Sequence, residues 1–254
     1  MKIEPRKIDY LFLGSSRVVN HILPEEVESL TGKSALNLGI EGATLTDNAL
    51  QLELLIDRKV KIKTLFLQVD YIFNYKKASD YVLPDVLPYI HEPIINKYVS
   101  ENRDYAWRYR MAPFFRYMTA DYVIGIRSIF QNFKANASVV THRGGFKPRG
   151  GPETDRPTIL PDFVAEENES LNKIKELCTE NGIELVLYFS PVCSRAENLD
   201  YSQKLKKRLP ELMDYSRFFP NDDNFGDCRH LREDGARIFT RQLMMDYLNQ
   251  KQTH

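Results

Sequence analysis

The sequence has few cysteines: only Cys178, Cys193 and Cys228 occur in its 254 residues, and none belongs to a C-x-x-C pair. Small domains that depend on disulfides carry more cysteines, and structural zinc sites need several cysteine or histidine ligands. We therefore expect no disulfide framework, no metal and no cofactor.

The sequence also lacks an excess of either charge, because 35 Lys and Arg residues are balanced by 35 Asp and Glu residues. Nucleic-acid binding depends largely on basic side chains that neutralise phosphates, so a nucleic-acid partner is not expected. No apolar run approaches the roughly 20 residues that cross a bilayer. We expect no transmembrane segment and a chain that is soluble as given. It would be extracytoplasmic or membrane-anchored if an N-terminal segment had been removed, and the compartment stays open.

Apolar runs alternate with helical patterns along most of the chain, which is typical of a parallel sheet covered by helices. A chain of 254 residues with 43% hydrophobic residues can bury one large core, so we predict a single α/β domain over residues 1–254. The predicted strands are residues 9–14, 34–38, 63–69, 184–190 and 215–219. The predicted helices are residues 16–30, 46–58, 161–181, 201–213 and 233–248.

Residues 71–160 break this alternation and are rich in Tyr, Phe, Arg and Pro. They are predicted to form a largely helical insertion followed by a long loop. Long loops inside compact domains are usually functional or mobile. The insertion is therefore expected to act as a lid or pocket wall rather than as a second domain.

Ligands of open parallel sheets bind beyond the carboxyl ends of the strands, so the residues that follow each strand are informative. The first predicted strand ends in the turn Gly14-Ser15-Ser16-Arg17. A serine in this turn would have its backbone N–H at a helix N-terminus, which favours developing negative charge. The alternative is a serine that only caps the helix.

Two further segments contain residues suited to catalysis. Gly42 follows the second strand and could offer an unobstructed backbone N–H to a ligand, although an ordinary turn glycine is the alternative. Asp227 precedes His230 near the C-terminus, and an aspartate in that position can orient an imidazole that acts as general base. The alternative is a helix-capping aspartate beside a surface histidine.

Together these segments resemble the conserved blocks of the SGNH/GDSL hydrolase superfamily: GSS after the first strand, NLGIEG after the second, and D-x-x-H-L before the last helix. The resemblance implies a three-layer α/β/α sandwich with a flavodoxin-like parallel sheet. It also implies that Ser16 is the nucleophile, His230 the general base and Asp227 the residue that orients it. The backbone N–H groups of Ser16 and Gly42 would form the oxyanion hole.

One block departs from the family pattern. Where the family has G-x-N-D, with an Asn that donates to the oxyanion, this chain has Gln68-Val69-Asp70-Tyr71. An ionised carboxylate has no hydrogen to donate. Either Asp70 is protonated or turned away, or Gln68 or Asn74 is the third donor. Further pocket candidates are Ser15, Arg17 and Asp70.

The departure is similar to a divergent branch of the superfamily that includes acyltransferases of envelope polysaccharides. The expected function is that of a serine esterase or O-acyltransferase that forms an acyl-Ser16 intermediate, with a small-molecule or carbohydrate ester as substrate. The alternative is a catalytically impaired glycan-binding or scaffold protein on the same fold. A nucleotide-binding module is disfavoured, because the first turn lacks the glycines of a phosphate cradle.

Overall fold

A computed structural model describes residues 7–112, 115, 143–149 and 158–252. Its centre is a five-stranded parallel sheet with the strand order β2-β1-β3-β4-β5, and a two-stranded antiparallel hairpin of β6 and β7 stands apart from it. This strand order is that of flavodoxin-like folds. The strands are β1 Lys7–Leu13, β2 Ala35–Asn37, β3 Lys61–Gln68, β4 Glu184–Phe189, β5 Met213–Asp214, β6 Phe225–Asp227 and β7 His230–Leu231.

Helices connect the strands and cover both faces of the sheet, so the fold is the expected three-layer α/β/α sandwich. Helices α3 and α7 pack against each other, while α9 packs against α1 and α2. Short 3₁₀ turns cover Tyr71–Asn74 and Leu87–Tyr89. The α-helices of the described residues are α1 Ser16–His21, α2 Pro24–Thr31, α3 Leu45–Asp57, α4 Leu83–Val86, α5 Pro93–Asn102, α6 Ala106–Met111, α7 Glu169–Glu180, α8 Asp200–Arg208 and α9 Glu233–Gln252.

The main core lies between the sheet and its helices. On one face of the sheet the rings of Phe12 and Phe66 stack with centroids 4.8 Å apart. The ring of Tyr247, on α9, meets Phe66 edge-on at 5.0 Å. The central strands β1 and β3 are apolar on both faces because both faces are covered, which explains their continuous apolar runs.

Most predicted elements are present with shifted ends, but two predictions were wrong. The single helix predicted over residues 16–30 is two helices, because Pro24 lacks a backbone N–H and starts α2 at its first position. The strand predicted over residues 215–219 is a turn, in which Phe218 N–H donates to the carbonyl of Tyr215. The fifth strand is instead β5, which pairs with the end of β4.

The first part of the predicted insertion is helical and forms a second apolar cluster on α3. This cluster includes Leu50 of α3 and Val99 of α5. A hydrogen bond of 2.5 Å from the Tyr98 hydroxyl to the buried Asp47 carboxylate also joins α5 to α3. Residues 113–142 other than Phe115, and residues 150–157, lie outside the described part of the chain. Among the helices that are described, none is both long and apolar enough to span a membrane.

Candidate active site

Ser16 lies where β1 ends and α1 begins. The turn before it depends on Gly14, where a Cβ atom would come within 2.6 Å of the Gln68 amide oxygen. Only glycine fits at this position, and the tight turn that it makes possible lets α1 begin soon after β1 ends. Ser15 is the residue that caps α1, since its hydroxyl accepts the Arg17 N–H at 3.4 Å. The Ser16 hydroxyl is therefore not the capping group.

Asp227 and His230 face each other across the β6–β7 hairpin. The Asp227 carboxylate accepts the backbone N–H groups of Arg229 at 2.9 Å and His230 at 3.1 Å. Its two oxygens also lie 2.8 and 2.9 Å from Nδ1 of the His230 ring. The D-x-x-H spacing is thus a short turn that brings the carboxylate and the imidazole together locally.

The hydroxyl and the imidazole come from opposite ends of the chain and meet. Ser16 Oγ lies 2.8 Å from Nε2 of His230. With Nδ1–H donated to Asp227, Nε2 presents its lone pair to the serine hydroxyl. Burial alone would raise the pKa of Asp227, but the hydrogen bond and charge of His230, the Arg229 N–H and the charge of Arg149 hold it well below its usual value. Asp227 is therefore ionised at neutral pH and can stabilise a protonated imidazole.

Ser16, Gly42 and His230 line one cavity of about 240 Å³. Gly42 has a φ of +76°, a conformation that favours glycine. A Cβ atom there would also approach the ring of Tyr81 to 2.7 Å. The structure therefore brings the predicted nucleophile, the predicted base and the predicted backbone donor of the second block to the same pocket.

Neither side chain predicted as a third oxyanion donor is directed at this pocket. The Gln68 amide is fully buried; its oxygen accepts the N–H and the hydroxyl of Ser15, and its nitrogen donates to Asp70 at 2.5 Å. The Asn74 amide donates to the carbonyl of Phe163 at 2.8 Å. The alternative in which Gln68 or Asn74 is the third donor is therefore corrected, because the Gln68 amide is bonded to Ser15 and Asp70 and the Asn74 amide to Phe163.

The three further pocket candidates, Ser15, Arg17 and Asp70, are buried and do not line the pocket. The Arg17 guanidinium forms an ion pair with Asp70 in which both side chains are fully buried. It also donates to the backbone carbonyl of Ser190 at 2.6 Å. Asp70 is therefore turned away from the pocket, as one of the alternatives proposed, because its carboxylate is needed to balance a buried cation.

Sequence reasoning missed four residues that line the pocket, namely Asn20, Glu41, Tyr81 and Arg149. Asn20 follows Ser16 by one helical turn, so helical spacing could have indicated it. Tyr81 and Arg149 belong to the irregular stretch between β3 and β4, where no periodic pattern points to a site. Arg149 donates from Nε to Asp227 at 3.1 Å and so lies at the outer end of the Ser–His–Asp chain.

A disulfide joins Cys193, in the loop after β4, to Cys228, in the turn between Asp227 and His230. The sequence was expected to form no disulfide framework, and this single link was not predicted. Because the two cysteines are separated by 35 residues, neither their number nor their spacing indicated the pair. The third cysteine, Cys178, is buried and unbridged.

Within the described residues, no group of three or more His, Cys, Asp or Glu side chains is arranged to hold a metal ion. No protein-family model matches this chain, and no curated protein matches its sequence. Any statement of function therefore rests on the geometry of the pocket and its residues.

Proposed function

We propose that this chain is a serine esterase or O-acyltransferase related to the SGNH/GDSL hydrolases, and that it acts through an acyl-Ser16 intermediate. The observation that carries the proposal is the continuous set of hydrogen bonds from Ser16 Oγ to His230 and from His230 to Asp227, at 2.8 Å each. A nucleophile, a base and a residue that orients the base, in that order, are the requirements of acyl transfer by serine.

In the first half-reaction His230 takes the Ser16 proton as the Ser16 oxygen bonds to the ester carbonyl carbon. The protonated imidazole then gives that proton to the departing alcohol, and the acyl group stays on Ser16. Asp227 remains ionised and stabilises the imidazolium. In the second half-reaction water or a sugar hydroxyl loses its proton to His230 and takes the acyl group, and His230 returns that proton to the Ser16 oxygen as its bond to the acyl carbon breaks.

The negative charge that develops on the carbonyl oxygen needs hydrogen-bond donors. The backbone N–H groups of Ser16 and Gly42 are the proposed donors, each worth about 3 kcal/mol of transition-state stabilisation. Gly42 supports this role because it lines the same cavity as Ser16 and has no side chain to cover its N–H. The O-acylated substrate belongs in this cavity, and we propose a small-molecule or carbohydrate ester.

A second candidate function is favoured by one observation. In the SGNH/GDSL family the third block supplies an Asn side chain that donates to the oxyanion. Among the described residues, neither Gln68 nor Asn74 replaces this donor, because both amides are bonded elsewhere. A protein with the triad but a weakened oxyanion hole would bind an acylated glycan without turning it over. The two candidates differ in whether Ser16 becomes acylated.

The decisive experiment is active-site labelling with a fluorophosphonate, followed by burst kinetics with p-nitrophenyl acetate. We expect one label per chain in the wild type and none in Ser16→Ala, because the probe reacts with an activated serine hydroxyl. Ser15→Ala is the matched control: it removes the neighbouring hydroxyl, which caps α1 and lies outside the pocket, and it should still be labelled. An unlabelled wild type, or a Ser16→Ala variant labelled as well as the wild type, would exclude the acyl-enzyme mechanism.

A further inference from the structure

A second histidine lies beside the triad and takes no part in the chemistry proposed above. His21 is the last residue of α1, the helix that begins with Ser16, and its side chain is fully buried. Its Nε2 lies 3.0 Å from the carbonyl oxygen of Arg229 and 3.2 Å from the backbone nitrogen of Leu231. Arg229 and Leu231 are the two chain neighbours of His230, so His21 contacts the backbone on both sides of the predicted base.

The His21 ring is neutral at neutral pH. Burial first, and then the nearby charges of Arg17 and His230, place the pKa of His21 well below its usual value. A neutral imidazole nitrogen either donates or accepts, so Nε2 binds the Arg229 carbonyl in one tautomer and the Leu231 N–H in the other. The other ring nitrogen, Nδ1, has no hydrogen-bond partner among the described residues. In both tautomers, therefore, the hydrogen bond of the ring is made to the backbone of a chain neighbour of His230, either Arg229 in the preceding turn or Leu231 in β7.

The surroundings of His21 leave its ring little room to move. The ring meets the ring of His230 edge-on, with centroids 6.4 Å apart, and that of Phe239 edge-on at 6.2 Å. A separate bond, from the Thr240 hydroxyl to the His21 backbone carbonyl at 3.0 Å, attaches the end of α1 to α9 and involves no atom of the ring. The helix that starts with the nucleophile thus also holds, at its other end, the strand that carries the base.

We propose that His21 is a positioning residue that sets the His230 imidazole against Ser16, an inference that rests on the proposed esterase or acyltransferase function. His21 does not line the pocket and does not touch the reacting atoms. It acts through the backbone of β7, which fixes where the His230 side chain begins. A small displacement of a catalytic group is enough to lower kcat strongly.

Two variants of His21 test the proposal with p-nitrophenyl acetate as the substrate. His21→Leu fills the space but removes the hydrogen bond, and we expect kcat to fall roughly 10- to 100-fold with KM changed less than about twofold. His21→Gln should retain most of kcat, because the terminal amide of glutamine reaches as far as Nε2 and can donate to one backbone group and accept from the other. If His21→Leu does not fold, His21→Asn replaces it, since its amide is too short to reach β7.

Thr240→Val is the matched control for a loss of stability alone. It removes equally buried hydrogen bonds at the same end of α1, namely those to the His21 carbonyl and from the Leu23 N–H, but leaves the His21 ring in place. We expect Thr240→Val to lose free energy of unfolding without the loss of kcat. A folded His21→Leu or His21→Asn variant with the kcat of the wild type would overturn the proposal, as would an equal loss of kcat in Thr240→Val.

A spectroscopic measurement separates this inference from the proposed function. In a two-bond ¹H–¹⁵N spectrum of histidine-labelled protein, the wild type should show His230 in a single tautomer with the proton on Nδ1. The same signals should be broadened or mixed in His21→Leu and restored in His21→Gln. If the wild type does not react with p-nitrophenyl acetate, the proposed function fails, and this spectrum alone decides whether His21 orders the His230 ring.

Discussion

At the scale of single residues, burial acts in opposite directions on Asp227 and His21. Burial alone would raise the pKa of Asp227, but hydrogen bonds and neighbouring cations lower it below its usual value. Burial lowers the pKa of His21, and the nearby charges of Arg17 and His230 lower it further. No neighbouring group among the described residues offsets these effects. The site therefore holds a fixed anion at Asp227 and a fixed neutral ring at His21.

The neutral state of His21 predicts a pH dependence of stability. Below a pH of about 6.5 the unfolded chain protonates this histidine while the folded chain does not, so the free energy of unfolding falls as the pH falls. One proton corresponds to at most about 1.4 kcal/mol per pH unit. We expect His21→Gln to flatten this slope between about pH 5 and pH 7, as measured by urea unfolding.

His91→Gln is the control for this measurement, because it removes a histidine that is exposed in the folded protein. Its curve shows the effect of losing a histidine that solvent reaches in the folded protein as well. A slope in His21→Gln as steep as that of the wild type would mean that His21 is not the group that resists protonation.

At the scale of secondary-structure elements, the Arg17–Asp70 ion pair holds three strand ends together. Arg17 follows the end of β1, Asp70 follows β3, and the Ser190 and Pro191 carbonyls that accept from Arg17 follow β4. The Asp70 carboxylate also accepts the Ile72 N–H at 3.1 Å. The segments that follow β1, β3 and β4 are thus attached to one another by buried contacts.

Removing one member of this pair should be costly. Arg17→Met leaves the Asp70 carboxylate buried without a cation, and we expect the free energy of unfolding to fall by about 3–5 kcal/mol. Adding Asp70→Asn should restore part of the loss, since it removes the uncompensated charge and keeps an oxygen for the Ile72 N–H. Chemical denaturation of both single variants and the double variant measures the coupling.

An exposed ion pair serves as the comparison. Arg58 and Glu92 lie 3.2 Å apart with side chains 60% and 42% exposed. Arg58→Met should cost less than about 1 kcal/mol, because solvent screens such pairs. If Arg17→Met were no more costly than Arg58→Met, the buried pair would not be the connection that we describe.

The secondary structure was largely predictable because it depends on local patterns. Buried strands such as β1 and β3 are continuous apolar runs, and the turn after β1 has glycine at position 14, where a Cβ atom would meet Gln68. The errors arose where a local rule was overlooked or a strand was very short. Pro24 could have been recognised as the start of a new helix, whereas β5 has only two residues and its pairing depends on β4.

At the scale of the whole molecule, the candidate site joins the first and last parts of the chain. Ser16 belongs to the first helix, and His230 immediately precedes the last one. The Cys193–Cys228 disulfide attaches the turn between Asp227 and His230 to the loop after β4. The relative positions of Ser16, Asp227 and His230 thus depend on the central sheet, on the last helix and on this covalent link.

We expect the disulfide to contribute measurably to stability. A link across 35 residues lowers the entropy of the unfolded chain by an amount equivalent to about 4 kcal/mol in the chain-entropy treatment. A reductant should therefore lower the free energy of unfolding of the wild type. The double variant Cys193→Ser, Cys228→Ser should show that lower stability without reductant and no further change with it.

Cys178→Ala is the control for the effect of the reductant on cysteine in general. It removes the buried, unbridged thiol and leaves the disulfide in place, so its response to reductant should match that of the wild type. A wild type whose unfolding curve is the same with and without reductant would contradict the expected contribution of this link.

The sequence by itself determined the alternation of strands and helices, the glycine turn before Ser16 and the three-residue spacing that lets Asp227 lie beside His230. These features depend on periodicity, on glycine geometry and on residues close together in the chain. Tertiary structure alone decided that Asp70 points at Arg17, that Gln68 is used to hold Ser15, and that Tyr81 and Arg149 reach the pocket. The direction in which a polar side chain points depends on its partner in space, and that partner comes from a distant part of the chain.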